Sequence, residues 1–308
     1  MFDNDRLEIR RNSVRAWLLA ARPKTLAGAA VPVMIGSALA VSDADWQVRW
    51  LPMVLCFLFA FTMQIDANFI NDYFDFRKGA DDEQRLGPKR ACAQGWVSPQ
   101  AMLRAIGITT FLACAIGLPL IFFGGWKMLA VGAVCVLFCF LYTTHLSYVG
   151  MGDLLVLLFF GVVPVTMTYY LVLPEEMQTV TTECLLLSVA CGLVVDTLLV
   201  VNNVRDIDND RRTGKRTLIV AIGRRQGQVF YFFLGFAAVI LGCFLPYYEH
   251  HWATWLPIII YQPLHVVSSV SMWKIGQGAA LNRILGQTAR NIFIYGLAVS
   301  IGLLLPNP

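Results

Sequence analysis

The chain has 308 residues, of which 57% are apolar and 14% charged, where an ordinary soluble domain carries about 25% charged residues. With a mean hydropathy of +0.61, this composition excludes a soluble enzyme, a disordered tail and a disulfide-framed secreted domain. The net charge of +4 is too small to point to a nucleic acid, and where the charges sit says more than their sum.

Long unbroken apolar runs, rather than alternation, predict an all-α integral membrane protein and not a β-barrel. Crossing the hydrocarbon core takes about 20 helical residues. The runs predict nine spans, near 25–42, 51–74, 100–123, 126–142, 153–173, 181–203, 227–247, 252–272 and 288–306, in a single polytopic domain over 1–308. The opening MFDNDRLEIRRNSVRAW lacks an early apolar core, so no cleaved signal is expected and the first span is the insertion signal. Seven of the eight cysteines lie in or beside apolar runs and no CxxC occurs, which fits small packing residues better than metal or redox sites.

This nine-span division places 22 of the 24 Lys and Arg on one side and leaves only Arg49 and Lys127, with the acidic PEEMQ at 174–178, on the other. The positive-inside rule then predicts a cytoplasmic N-terminus and two long cytoplasmic loops, about 76–98 and 204–226. Each loop is entered from a helix end rich in Asn and Asp: NFINDYFDFRKGADD at 68–82 and NNVRDIDNDRRTGKRT at 202–217. Asn68 and Asp72 recur as Asn202 and Asp206, an offset of 134 residues. The repeat predicts a four-helix unit used twice with one helix added, and duplicated membrane folds place sites where their halves meet.

Helical spacing puts Asn68, Asp72 and Asp75 on one face, and Asn202, Asp206 and Asp210 on another. Asp81 and Asp208 lie close enough in the chain to assist. Hard oxygen donors without His or Cys suit Mg²⁺, with Mn²⁺ as a substitute, and Mg²⁺ favours one or two carboxylates plus phosphate oxygens. Two facing half-sites among Arg and Lys therefore suit a metal-bridged diphosphate. Solvated loop ends are the plainer explanation for one such cluster, but two at matching positions weigh against it. Carboxylates at a helix C-terminus also oppose the macrodipole and call for cations. For that purpose the loops offer Arg22, Lys24, Arg90, Arg205 and Lys215, with Lys24, Arg90 and Lys215 the better candidates; each could equally be a topology charge.

The pair NDYFD and NNVRDIDNDR resembles the two Asp-rich motifs of the UbiA-type intramembrane prenyltransferases. ARPKTLAGAAVPVMIGSALA, KGADD, RLGPKR, GWVSPQAM and YVGMGDLLVLLFFGVVPV resemble its 1,4-dihydroxy-2-naphthoate polyprenyltransferase branch, over nearly the whole chain. The resemblance implies a nine-helix bundle around a cavity. It also implies Mg²⁺ held by Asn68, Asp72, Asp75, Asn202, Asp206 and Asp210, with Asp72, Asp75, Asp206 and Asp210 catalytic. The implied partners are a polyprenyl diphosphate, the naphthoate acceptor and the lipid bilayer; the implied location is a bacterial inner membrane with the site toward the cytoplasm. The sequence departs from the family at TTHLS after Tyr142 and at the mid-span Asp196. The base that removes the phenolic proton stays open among Asp75, Asp208 and Tyr148, Tyr148 being equally an interfacial anchor. Asp66 and Asp196 either line the cavity or are hydrogen-bonded structural groups, and His265 reads as a packed histidine. A transporter, or a sister enzyme acting on 4-hydroxybenzoate, homogentisate or haem, is the alternative.

Overall fold

The computed structural model describes residues 9–79 and 86–306; Asp81 lies outside the described residues. Those residues form helices joined by turns and loops, with no strand among them. In chain order the helices are α1 Val14–Ala21, α2 Leu26–Asp43, α3 Trp50–Arg77, α4 Pro99–Gly124, α5 Lys127–Thr144, α6 Gly152–Val172, α7 Thr182–Arg212, α8 Arg224–Gly242, α9 at 251–275 and α10 Leu281–Leu304. Among the described residues, seven stretches are long and apolar enough to cross a membrane: α1 with α2, then α3 to α7 and Arg224–Tyr248. The helices at 251–275 and 281–304 match the last two expected spans in length but carry more polar groups, among them His265, Lys274, Arg283 and Arg290.

The expected span limits agree with the helices except at polar ends. The stretch 204–226 reads as a loop because hydropathy stops near Val204, yet α7 runs on to Arg212 and a short turn of helix follows at Leu218–Ile222. Leaving the hydrocarbon does not end a helix whose backbone bonds remain intact. At 28 and 31 residues, α3 and α7 are about 42 and 46 Å long against a hydrocarbon core of about 30 Å. Their last turns project beyond it, and those turns carry the Asn and Asp clusters. Helix α1 precedes the first expected span and is an addition to it. Its N-cap Ser13 accepts from the Ala16 N–H, and Ala16 and Ala20 are buried.

The main core packs Val31, Ile35 and Leu39 of α2 against Leu187, Cys191 and Val194 of α7 and Ile292 and Val299 of α10. A π-helical turn at Leu158–Val162, just before Pro164, interrupts α6, accommodating the missing proline donor. There α6 meets α7 almost backbone to backbone. A Cβ on Gly161 would lie 2.6 Å from Gly192 Cα and from the Ser188 carbonyl. Small residues permit such close helix contact in membranes. Gly161→Ala is expected to cost about 1–3 kcal/mol by overpacking, visible as a lowered melting temperature in detergent.

Two intramembrane polar groups find structural settings. Asp66 accepts hydrogen bonds from Thr109 and, at 2.7 Å, from Thr110, tying α3 to α4. His265 stacks between the rings of Tyr231 and Tyr261 and lies 3.1 Å from the Phe232 carbonyl. Asp196 is buried with one carboxylate oxygen lacking a hydrogen bond.

Candidate active site

Helices α3 and α7 bring their polar ends to the mouth of an apolar cavity of about 870 Å³. Pro32, Met63, Phe159 and Leu198 are among its walls, while Asn71 and Asn202 line it on α3 and α7. A cavity of that size holds a large apolar ligand.

On α3, Asn68 donates from Nδ2 to the Ala21 carbonyl and to Thr25 Oγ1, both at 2.9 Å. It thereby fixes the turn between α1 and α2, where Arg22 adopts a positive φ of 51°. Asp72 is 1% exposed and accepts the Ala91 and Cys92 N–H groups at 2.8 and 2.9 Å. It clamps the segment after the Asp-rich motif, which Phe69, Ile70, Val97 and Met102 pack from below. Arg22 Nη2 stands 4.0 Å from Asp72. One turn on, Asp75 receives a charge-assisted bond of 3.2 Å from the buried Arg90.

On α7, Asn202 turns its amide to the Leu198 carbonyl at 3.1 Å. Asp206 is held bidentately by Arg205 at 2.6 and 2.8 Å. Arg205 is itself oriented by Asn282 Oδ1 at 2.8 Å, and Asn282 Nδ2 donates to the Leu86 carbonyl at 2.7 Å. The loop after α3, the end of α7 and the start of α10 are thus linked. Asp210 is 5% exposed and its Oδ2 takes no hydrogen bond. Asp206, Asp75 and Lys215 all lie within electrostatic reach of it.

The cations divide between site and surface. Arg90 is buried and Lys215 half-buried, whereas Lys24 is exposed on the turn Pro23–Thr25. Tyr148 lies under two ammonium groups, Lys78 at 3.9 Å and Lys215 at 5.8 Å from the ring centre. Lys78 also donates to the Thr144 carbonyl at 2.7 Å. Partial burial pulls Lys78 below the usual lysine range, with Asp75 opposing and Lys215 assisting. Asp208 is not brought to this mouth. Two residues after Asp206 it faces another side of α7, exposed and paired with Arg224 at 2.6 Å and Arg211 at 3.9 Å.

Sequence reasoning did not single out Lys78, Asn71 or Asn282. For Lys78 a signal existed in its position three residues after Asp75, on the same helical face. Asn71, which Thr143 Oγ1 approaches from α5, gave none, because its i+3 offset from Asn68 is shared by many polar helix ends.

Two oxygen-rich helix ends with interleaved Arg and Lys, above an apolar cavity, define a membrane site for a ligand with an anionic head and an apolar tail. The UbiA prenyltransferase family model matches residues 29–296, and the chain belongs to that family. It is 32% identical over 305 residues to the 1,4-dihydroxy-2-naphthoate octaprenyltransferase of Escherichia coli, covering 94% of this chain and 96% of that protein. The fold matches the apo structure of a UbiA homolog from Aeropyrum pernix with a TM-score of 0.72 at 15% identity, covering 91% and 98%. It also matches a UbiA homolog from Archaeoglobus fulgidus, solved with DMAPP and Mg²⁺, with a TM-score of 0.58 at 16% identity, covering 92% and 99%. The protein is a multi-pass membrane prenyltransferase.

Proposed function

We propose that the chain transfers a polyprenyl group from its diphosphate to 1,4-dihydroxy-2-naphthoate, releasing diphosphate and CO₂ and giving demethylmenaquinol or its quinone. One observation carries this: Asn71 of α3 and Asn202 of α7, each beside its helix's Asp residues in the chain, line one apolar cavity. The named relative supports the naphthoate acceptor.

The donor set fits Mg²⁺. Asn68, Asp72, Asp75, Asn202, Asp206 and Asp210 offer oxygens alone, and one buried Asp210 oxygen has no partner. Bound there with the diphosphate, the metal neutralises charge that builds on the leaving group. Arg90, Lys215 and Lys78 add fixed positive charge where that oxyanion develops. Asp72 and Asn68 hold the loop and the Arg22 turn around it, with Lys24 at its outer edge. Ionisation at the prenyl C1 breaks the C–O bond and leaves an allylic cation, which the apolar walls keep from water. The tail lies along the cavity among Phe159, Met63 and Leu198.

The direct test supplies purified protein with a polyprenyl diphosphate and each of dihydroxynaphthoate, 4-hydroxybenzoate and homogentisate. Diphosphate release and a prenylated naphthol are expected with the first alone. Uptake into vesicles without diphosphate release would instead identify a transporter.

The chain crosses the membrane in nine spans, α1 with α2 forming the first, with the N-terminus and both Asp-rich ends in the cytoplasm of a bacterium, which the 22-to-2 split of basic residues supports. Single-cysteine variants at Lys89 and Thr179, both exposed, check this by labelling in sealed inner-membrane vesicles. Position 89 should react from the cytoplasmic side and 179 from the opposite side. Reaction of both from one side refutes the arrangement.

A further inference from the structure

The end of the bundle away from the Asp-rich termini carries a second polar cluster. Asp43 closes α2, Glu183 stands in the first turn of α7, and His250 lies in the turn before α9. Glu183 and Asp206 sit near opposite ends of one helix, about 35 Å apart at its ordinary rise, so this cluster is remote from the site above. His250 Nε2 lies 3.1 Å from Glu183 Oε1 and 3.7 Å from Asp43 Oδ1. All three ligand atoms fall within 4.8 Å of one another, and no other group of His, Cys, Asp or Glu among the described residues is gathered this way.

Glu183 is 5% exposed, and its Oε1 accepts no well-aligned hydrogen bond while it faces the cluster. Asp43 Oδ2 accepts from the Tyr169 hydroxyl at 2.5 Å, leaving Oδ1 for the His250 side.

We propose that Asp43, Glu183 and His250 form a structural site for a divalent transition-metal ion of the zinc class, clasping α2, α7 and the turn between α8 and α9. One imidazole nitrogen with two carboxylates suits Zn²⁺, whereas Mg²⁺ and Ca²⁺ favour oxygen alone. Ligands in a tetrahedral zinc shell stand about 3.3 Å apart, a spacing that the 3.1 and 3.7 Å separations bracket. Three protein ligands leave the fourth position to water. Tyr169 fixes the Asp43 carboxylate as outer-shell hydrogen bonds do at metal sites. The His250 and Asp43 side chains keep 13% and 22% of their exposure, which lets an ion reach them.

Full-length protein, stripped with chelator and held in excess Mg²⁺ to compete at the Asp-rich helix ends, is dialysed against Zn²⁺ beside His250→Gln and Glu183→Gln. One Zn²⁺ per wild-type chain is expected, with affinity at least tenfold lower in either variant. X-ray absorption of the zinc-loaded wild type is expected to show one imidazole and oxygen neighbours at about 2.0–2.2 Å, a measurement that needs no variant to fold. No tight Zn²⁺ on the wild type, equal affinity in the variants, or a shell without imidazole would overturn the proposal.

Discussion

Asp206→Ala and Asp210→Ala should each lower turnover by about 10²- to 10³-fold or more, the scale of losing one electrostatic stabiliser in an enclosed site, yet the two should differ from Asp72→Ala in stability. Asp210 is buried with an oxygen that accepts nothing. Removing it relieves a desolvation cost of about 1–3 kcal/mol, so Asp210→Ala should melt no lower than wild type while its activity is lost. Functional groups held at such a cost are where stability and activity oppose one another. Asp72 behaves oppositely, since both its oxygens accept backbone N–H groups of the 91–92 segment. Asp72→Ala orphans two buried donors and should lose activity and melting temperature together. Chelation with EDTA should stop wild-type turnover, and added Mg²⁺ should restore it. Paired measurements of turnover and thermal unfolding on the three variants check this; full activity in a chelated preparation, or in Asp210→Ala, would remove these carboxylates from the chemistry.

Much of this site was legible because helical spacing is rigid. Once Asn68, Asp72 and Asp75 are placed on one helix their shared face follows, and the 134-residue echo at Asn202 and Asp206 points to the partner helix. Hydropathy located the helices that hold them, but it reports where lipid ends and not where the helix does. For that reason 204–226 read as loop while α7 continued to Arg212, carrying Asp206 and Asp210 on rigid backbone. Asp208 read as a possible helper because it is near in sequence; two residues on a helix turn the side chain by about 200°, and it pairs outward with Arg224. What stayed hidden was contact between distant segments. The Asp72 clamp on Ala91 and Cys92, the Lys78 ammonium over Tyr148, and the Arg205–Asn282–Leu86 link all join residues with no common periodicity. The sequence alone leaves Asp66 between lining and structural roles; in the fold α4 supplies Thr109 and Thr110 as its partners.

Given a polyprenyl diphosphate and 1,4-dihydroxy-2-naphthoate, the enzyme should release CO₂ and diphosphate one for one. The electron-rich ring attacks the allylic cation through the carbon that bears the carboxylate, forming the new C–C bond and an sp³ centre. Aromaticity returns most directly when the C–CO₂ bond breaks and its electron pair re-enters the ring, so carbon dioxide leaves at the position the prenyl group takes. A sister enzyme acting on 4-hydroxybenzoate substitutes a ring carbon bearing hydrogen, expels a proton and keeps its carboxylate, releasing diphosphate alone. The site here is compatible with an anionic acceptor beside the diphosphate, because Lys78 and Lys215 flank the Tyr148 ring at the edge of the Asp-rich mouth. An aromatic face under two cations, next to an apolar cavity of about 870 Å³, can hold a flat carboxylated ring within reach of the prenyl C1. Lys78→Ala should therefore raise the KM for the acceptor more than that for the prenyl donor. Carboxyl-labelled dihydroxynaphthoate gives the direct readout as released label, counted against inorganic diphosphate. Label retained in the prenylated product would move the chain to another acceptor branch, and would leave the carboxylates of α3 and α7 in charge of the diphosphate.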